Sequence, residues 1–392
     1  MTRTIRLPRP DGTIEAYEFG RVPPVRPGSG RIESRVACAA AHVVADPLAD
    51  TDPTSAARLD WDATLAYRRY LWSLGLGVAE AMDTAQRGMG LGWPEARELI
   101  RRTLAEARAV ERAGGFASVV SGAGTDHLEP SPRVTLADVR AAYEEQVGFV
   151  EGEGGRVVLM ASRALAACAK GPDDYAEVYG AILRQVRRPV LIHWLGDMFD
   201  PQLEGYWGAR DLDRAMASCL AIVREHAARI DGIKISLLDK AREIAMRRLL
   251  PEGVRMYTGD DFDYPELIRG DGERASDALL GIFDAIAPAA SAALRALDAG
   301  DLARFETILA PTVPLSRHVF RAPTRFYKTG VVFIAYLNGH QRHFRMVGGQ
   351  ESARSIVHLA EVFRLADRAG LLADPDRAAA RMRPVLALAG VE

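Results

Sequence analysis

A chain of 392 residues, 48% hydrophobic and 26% charged, carries enough apolar material for one large domain with appendages or for two domains. Its formal net charge of −2 leaves no basic footprint for nucleic acid, and no apolar run approaches the 18 residues of a membrane span. The expected partner is a small-molecule substrate, with no nucleic acid and no membrane.

The opening stretch MTRTIRLPRPDG has no apolar core of a signal peptide, and Cys38, Cys168 and Cys219 lie far apart without CxxC spacing. Both features predict a cytoplasmic protein with buried, reduced thiols. Residues 1–32 read as a separate unit: TIRLP and TIEAYEF flank a Pro-Asp-Gly turn as a hairpin, and VPPVRPGSG follows as a linker.

Over residues 33–298, short apolar runs alternate with amphipathic helical patterns. The strand-like runs are 35–44, 77–82, 116–121, 156–161, 189–195, 232–236, 254–258 and 278–285. Helical patterns cover 93–113, 135–150, 174–186, 214–230 and 287–297, and Trp93-Pro94-Glu95 is a sound helix start. Eight strands, each followed by a helix, predict an α/β fold of the (β/α)8 (TIM) barrel type. An open doubly wound sheet would place a glycine-rich turn after its first strand, where this chain has HVVADPLAD. Residues 299–392 read as a C-terminal helical region that caps the barrel or forms a subunit interface.

Barrel enzymes work at the C-terminal strand ends. Asp83, Thr84 and Gln86 follow strand two, and Arg163 follows strand four. His193 ends strand five, Lys234 and Ser236 lie on strand six, and Asp260 follows strand seven. Lys234 is the most informative. It stands between Ile233 and Ile235 in GIKIS, so strand alternation turns Lys234 and Ser236 to the face opposite the isoleucines. A lysine inside a barrel either pairs with Asp83, Asp260 or Asp261 to hold the fold, or is desolvated into an amine that attacks carbonyls. His193, interrupting PVLIHWL, is either a hydrogen-bonded core histidine or a proton relay. Arg163 holds a carboxylate or phosphate, or makes a surface ion pair. GDDFDY (259–264) fits a helix cap better than a metal site. GAGTD (122–126) is too short for a dinucleotide signature, and NGHQRHF (338–344) reads as a loop.

These residues resemble the dihydrodipicolinate synthase / N-acetylneuraminate lyase superfamily of class I aldolases, in a divergent branch known as a domain of unknown function. DGIKIS matches the segment of the Schiff-base lysine, which falls on Lys234. YTGDDFDYPELIRGDG with ALLGIFDAIAPAASAAL matches the Gly-Asp-Asp segment and last strand. LDWDATLAYRRYLWSLGLGVAEAMDTAQRGMGLGWPEA matches the first helix, second strand and substrate loop. The resemblance implies a Schiff-base-forming lyase or aldolase on a 2-oxo acid or related carbonyl compound. Catalysis falls to Lys234 and His193, and substrate binding to Asp83, Thr84, Gln86, Arg163, Ser236 and Asp260. No metal or organic cofactor is required, and the family habit is a homo-oligomer, dimer or tetramer.

Departures narrow that expectation. Asp83-Thr84-Ala85-Gln86-Arg87 replaces the family's Gly-Thr-Thr-Gly-Glu loop, leaving one threonine, and His193 stands where the family carries a relay tyrosine. No counterpart of the synthase's carboxylate-binding arginine is evident in GDMFDPQ, so dihydrodipicolinate synthesis itself is not expected. An imidazole near pKa 6.5 moves protons at neutral pH more readily than a phenol near 10. Two other classes stay open. One is a metal-dependent isomerase or class II aldolase using His42, Asp46, His193, Asp197 and Asp260. The other is a non-catalytic barrel that binds a small molecule.

Overall fold

The computed structural model describes residues 3–28 and 31–391. β1 (Thr4–Pro8) and β2 (Ile14–Glu18) pair antiparallel around the Pro-Asp-Gly turn. Alternation buries Ile5 and Leu7 on one face of β1. That face lies against the C-terminal helix Ile356–Arg368, where Phe19 meets the Phe363 ring edge-on. Tyr17 Oη donates to the Asp367 carboxylate at 2.9 Å, and Arg364 Nε donates to Glu15 at 2.7 Å. The hairpin is thus fixed to the C-terminal helices.

Eight parallel strands close the barrel in the order β10-β3-β4-β5-β6-β7-β8-β9. They are β3 (Ala37–Ala40), β4 (Gly77–Glu80), β5 (Val119–Ala123), β6 (Arg156–Leu159), β7 (Val190–Leu195), β8 (Ile230–Ser236), β9 (Arg255–Thr258) and β10 (Asp277–Leu280). Inward positions form their own apolar layer, including Ala40, Ala79, Val120, Val158, Leu191, Tyr257 and Leu279. Outward positions such as Val78, Ile192, Ile233 and Ile235 join the larger core beneath the helices. Both faces of each strand are therefore covered, which explains runs that are apolar throughout.

The barrel helices lie where apolar periodicity puts them, with ends set by caps. Helix Trp93–Arg112 opens with Pro94 in its first turn, and Thr135 with Asp138 forms a capping box for Leu136–Gly152. The run expected as a strand over 278–285 divides. β10 stops at Leu280, and Ile282–Ala285 is helical. At Gly281 the backbone turns to helical angles (φ −67°, ψ −39°), and the N–H of Ile282 donates to the Asp261 carboxylate at 2.8 Å instead of to a neighbouring strand. The first run is likewise shorter than 35–44, its ladder covering Ala37–Ala40.

Beyond the barrel come helices Leu302–Leu309, Thr312–Val319, Tyr327–Leu337, Ile356–Arg368 and Pro375–Leu388. They cover part of the strand-end face. Ser316 Oγ donates to the Asp261 carbonyl, and the Tyr327 hydroxyl hydrogen-bonds Thr84 at 2.8 Å. All three cysteines are free; Cys38 and Cys219 are buried, but Cys168 is partly exposed. Among the described residues no helix is long and apolar enough to cross a membrane.

Candidate active site

Lys234 lies in the middle of β8, flanked in register by His193 of β7 and Tyr257 of β9. Cross-strand partners share a face, so all three point into the barrel. Lys234 is 7% exposed. Its aliphatic arm runs past the bare Cα of Gly259, where an added Cβ would lie 2.8 Å from Lys234 Cε and 2.5 Å from the Ile235 carbonyl oxygen. A glycine after β9 is what lets the lysine extend toward the strand ends. Tyr257 donates its hydroxyl to Asp231, near the start of β8, at 2.7 Å.

His193 Nε2 hydrogen-bonds Ser236 Oγ at 3.1 Å. The imidazole also lines a cavity of about 180 Å3 at the strand ends, together with Asp83, Gly124, Thr125, Met160 and Arg163. Burial drives the imidazole well below its ordinary pKa, and the Lys234 charge adds to this, so neutral His193 is the form present at neutral pH. Burial likewise lowers Lys234, opposed by the carboxylates of Asp83 and Asp261. Asp261 moves the other way: burial raises it, while Lys234 and the Ile282 N–H favour its ionised form.

Asp83 begins the short turn Asp83–Ala85 just beyond β4. A buried ion pair holds that strand end. Arg68 Nε and Nη2 donate to Glu80 at 2.9 and 2.8 Å with both side chains fully buried, and Thr103 Oγ1 donates to the same carboxylate at 2.6 Å. The structure brings Lys234, His193, Ser236 and Asp83 together at the barrel mouth, with Arg163 at its rim. Arg163 also makes the ion pair that its surface reading anticipated, with Asp200.

Three predicted residues lie elsewhere. Gln86 has left-handed backbone (φ 67°), and its amide nitrogen donates to the carbonyls of Met89 at 3.1 Å and Val347 at 2.9 Å. It fastens the turn to the C-terminal region instead of facing the cavity. Thr84 is spent on Tyr327. Asp260 caps its own loop, accepting from the N–H groups of Phe262 at 2.8 Å and Asp263 at 3.0 Å. The five candidate metal ligands do not converge. His42 is tied to Asp284 at 2.8 Å, His193 to Ser236 and Asp260 to its loop, and no group of three His, Cys, Asp or Glu suited to a metal occurs among the described residues.

Several site residues escaped the sequence reading. Arg87 joins the loops after β4 and β5, donating to Asp126, to Gln146 at 2.8 Å and to the Ala81 carbonyl at 3.1 Å. GAGTD is no dinucleotide signature, but its Thr125 and Asp126, legible in the sequence as polar residues at the end of the third barrel strand, line the cavity wall together with Gly124. Lys328, in helix Tyr327–Leu337, is a second buried lysine. Its ammonium donates to the Arg325 carbonyl at 3.2 Å, and burial drops it to about 8 against the pull of Asp83. The chain has only four lysines, so two buried near one barrel mouth is a usable signal. The sequence hides their proximity because 94 residues separate them.

The closed ring of eight parallel strands with its surrounding helices defines the class: a (β/α)8 (TIM) barrel. The family model of DUF993, proteins of unknown function, matches residues 5–391, and the chain belongs to that family. No curated protein matches the sequence. Among solved structures, dihydrodipicolinate synthase from Thermotoga maritima superposes with TM-score 0.62 at 14% identity, covering 87% of this chain and 100% of that one. The chloride-inhibited synthase from Acinetobacter baumannii, complexed with pyruvate, gives 0.61 at 14% identity over 86% and 100%. A prophage protein of the dihydrodipicolinic acid synthase family from E. coli K12, in complex with pyruvate, gives 0.60 at 13% identity over 91% and 99%. The chain shares the barrel fold of these synthases, the fold its sequence suggested, and its own family is DUF993.

Proposed function

We propose that this protein is a Schiff-base-forming lyase or aldolase acting on a 2-oxo acid or related carbonyl compound. The observation that carries the reading is Lys234, buried inside the barrel and in register with His193, which lines the strand-end cavity. The unprotonated amine adds to the substrate carbonyl, and loss of water leaves an imine. Once protonated, the imine withdraws electrons from the adjoining carbon. A carbon–carbon or carbon–oxygen bond one atom further on then breaks, with its electron pair retained as the enamine or carried off by the leaving group. In C–C cleavage His193, neutral at working pH, takes the proton of the hydroxyl on the departing carbon and returns it to the enamine carbon; in C–O cleavage it takes the proton of the adjoining carbon and gives it to the leaving oxygen. Water then hydrolyses the imine and regenerates Lys234.

Borohydride reduction read by intact-protein mass tests this directly. A carbonyl substrate adds one reduced adduct, peptide mapping places it on Lys234, and Lys234→Ala abolishes it. Mapping also separates Lys234 from Lys328, the other lysine whose amine burial makes more available. Failure to label Lys234 with any 2-oxo acid, aldehyde or ketone refutes the reading.

A further inference from the structure

The charges around the cavity bear on what it admits. Its lining includes the carboxylates of Asp83, Asp126, Glu129 and Asp200 against the guanidinium groups of Arg87 and Arg163. Both arginines are already neutralised, Arg87 by Asp126 and Arg163 by Asp200. Asp83 is different. Its carboxylate has no hydrogen bond and no ion pair among the described residues, although it lines the cavity with His193, the register partner of Lys234. Two buried ammonium groups feel the Asp83 charge, Lys234 from β8 and Lys328 from helix Tyr327–Leu337; both lie behind the cavity lining, and that of Lys328 is held by the Arg325 carbonyl at 3.2 Å. A carboxylate attached directly to the reacting carbonyl would enter a space next to Asp83 lined by four carboxylates against two guanidinium groups that are already paired, with no unpaired cation in the lining itself. Like charges so placed are mutually destabilising. A hydroxyl there has the opposite outcome, because an unpartnered carboxylate is a strong acceptor for O–H. The N–H groups that Arg163 does not give to Asp200 supply donors for further hydroxyl oxygens.

We propose that the carbonyl compound taken by Lys234 is a neutral hydroxyaldehyde or hydroxyketone, and that Asp83 accepts a hydrogen bond from one of its hydroxyls. This rests on the Schiff-base reading and narrows it from oxo acids to sugar-like carbonyl compounds.

The experiment compares two probe sets on the full-length chain under borohydride. One holds dihydroxyacetone and glyceraldehyde; the other holds pyruvate and 2-oxobutyrate. Half-saturating concentrations are read from the adduct mapped to Lys234. The hydroxylated neutral probes are expected to saturate at least tenfold lower than the oxo acids. Asp83→Asn, nearly isosteric, is expected to narrow or reverse that ratio. The wild-type comparison stands alone should the variant fold poorly. Oxo acids trapped at Lys234 as readily as the neutral probes, or a ratio unmoved in folded Asp83→Asn, overturn the proposal and leave the Schiff-base reading intact. No adduct at Lys234 from either set overturns both.

Discussion

Gly259→Ala isolates the geometry on which the lysine depends. The substitution removes no polar group of the site. Its new methyl would meet Lys234 Cε at 2.8 Å, the Ile235 carbonyl oxygen at 2.5 Å and the Ser236 hydroxyl closer still. Non-bonded heavy atoms settle near about 3.5 Å, so the lysine arm or the β9 strand end must give by up to about 1 Å. The Ile235 carbonyl accepts the Gly259 N–H at 2.9 Å within the barrel ladder and yields little. The strand end must shift to clear that carbonyl, and the Lys234 arm and Ser236 hydroxyl shift with it, so the amine is displaced from its place beside His193. A misplacement of about 1 Å costs reaction rate by about 100-fold, equivalent to about 2.7 kcal/mol of barrier. Overpacking should cost about 1–3 kcal/mol of stability. The assay is the rate of borohydride trapping at Lys234, with thermal unfolding in parallel. A folded Gly259→Ala protein trapped within threefold of the parent rate refutes the argument that this glycine positions the amine.

His193→Asn should retain imine trapping but lose proton movement. Deuterium exchange at the carbon beside the substrate carbonyl should slow by about 100-fold or more, and unchanged exchange removes His193 from the mechanism. Glu80→Gln leaves Arg68 buried without its ionic partner, and loss of one member of such a pair costs about 3–5 kcal/mol. Chemical denaturation should register that loss together with weaker trapping, because the pair anchors the strand end that carries Asp83. Burial holds the Glu243 carboxyl near pKa 8, against 4.5 as its ordinary value. Between these pH values the folded protein binds a proton that the unfolded chain has released, so stability falls as pH rises through this window. Glu243→Gln should remove that slope, its stability relative to the parent growing from pH 5 to pH 9. A constant difference across the range contradicts the shifted carboxyl.

The sequence by itself determined the barrel and its catalytic candidate. Strands buried on both faces must be apolar throughout, so eight such runs separated by amphipathic helices specify a closed parallel sheet. Period-two alternation put Lys234 opposite Ile233 and Ile235, and the barrel interior is where it points. Local pattern placed GDDFDY at a turn, where Asp260 bonds N–H groups only two and three residues away, but the expected helix cap is not made: helix Tyr264–Arg269 begins at Asp263 without a side-chain cap. Tertiary structure decided what lay beyond that reach. Gln86 reads as a substrate contact from its place in the loop, yet its amide is taken by Val347 across 261 positions of sequence. Thr84 is engaged by Tyr327 and the β1–β2 hairpin by Asp367, both from the C-terminal region. Asp83 and Arg87 follow the same strand, but one carboxylate is left without a partner while the other side chain is fully bonded between loops. Alternation and capping are set by neighbouring φ/ψ angles and are written locally. Which polar group is satisfied and which is left facing a cavity depends on partners that meet only when the chain closes on itself.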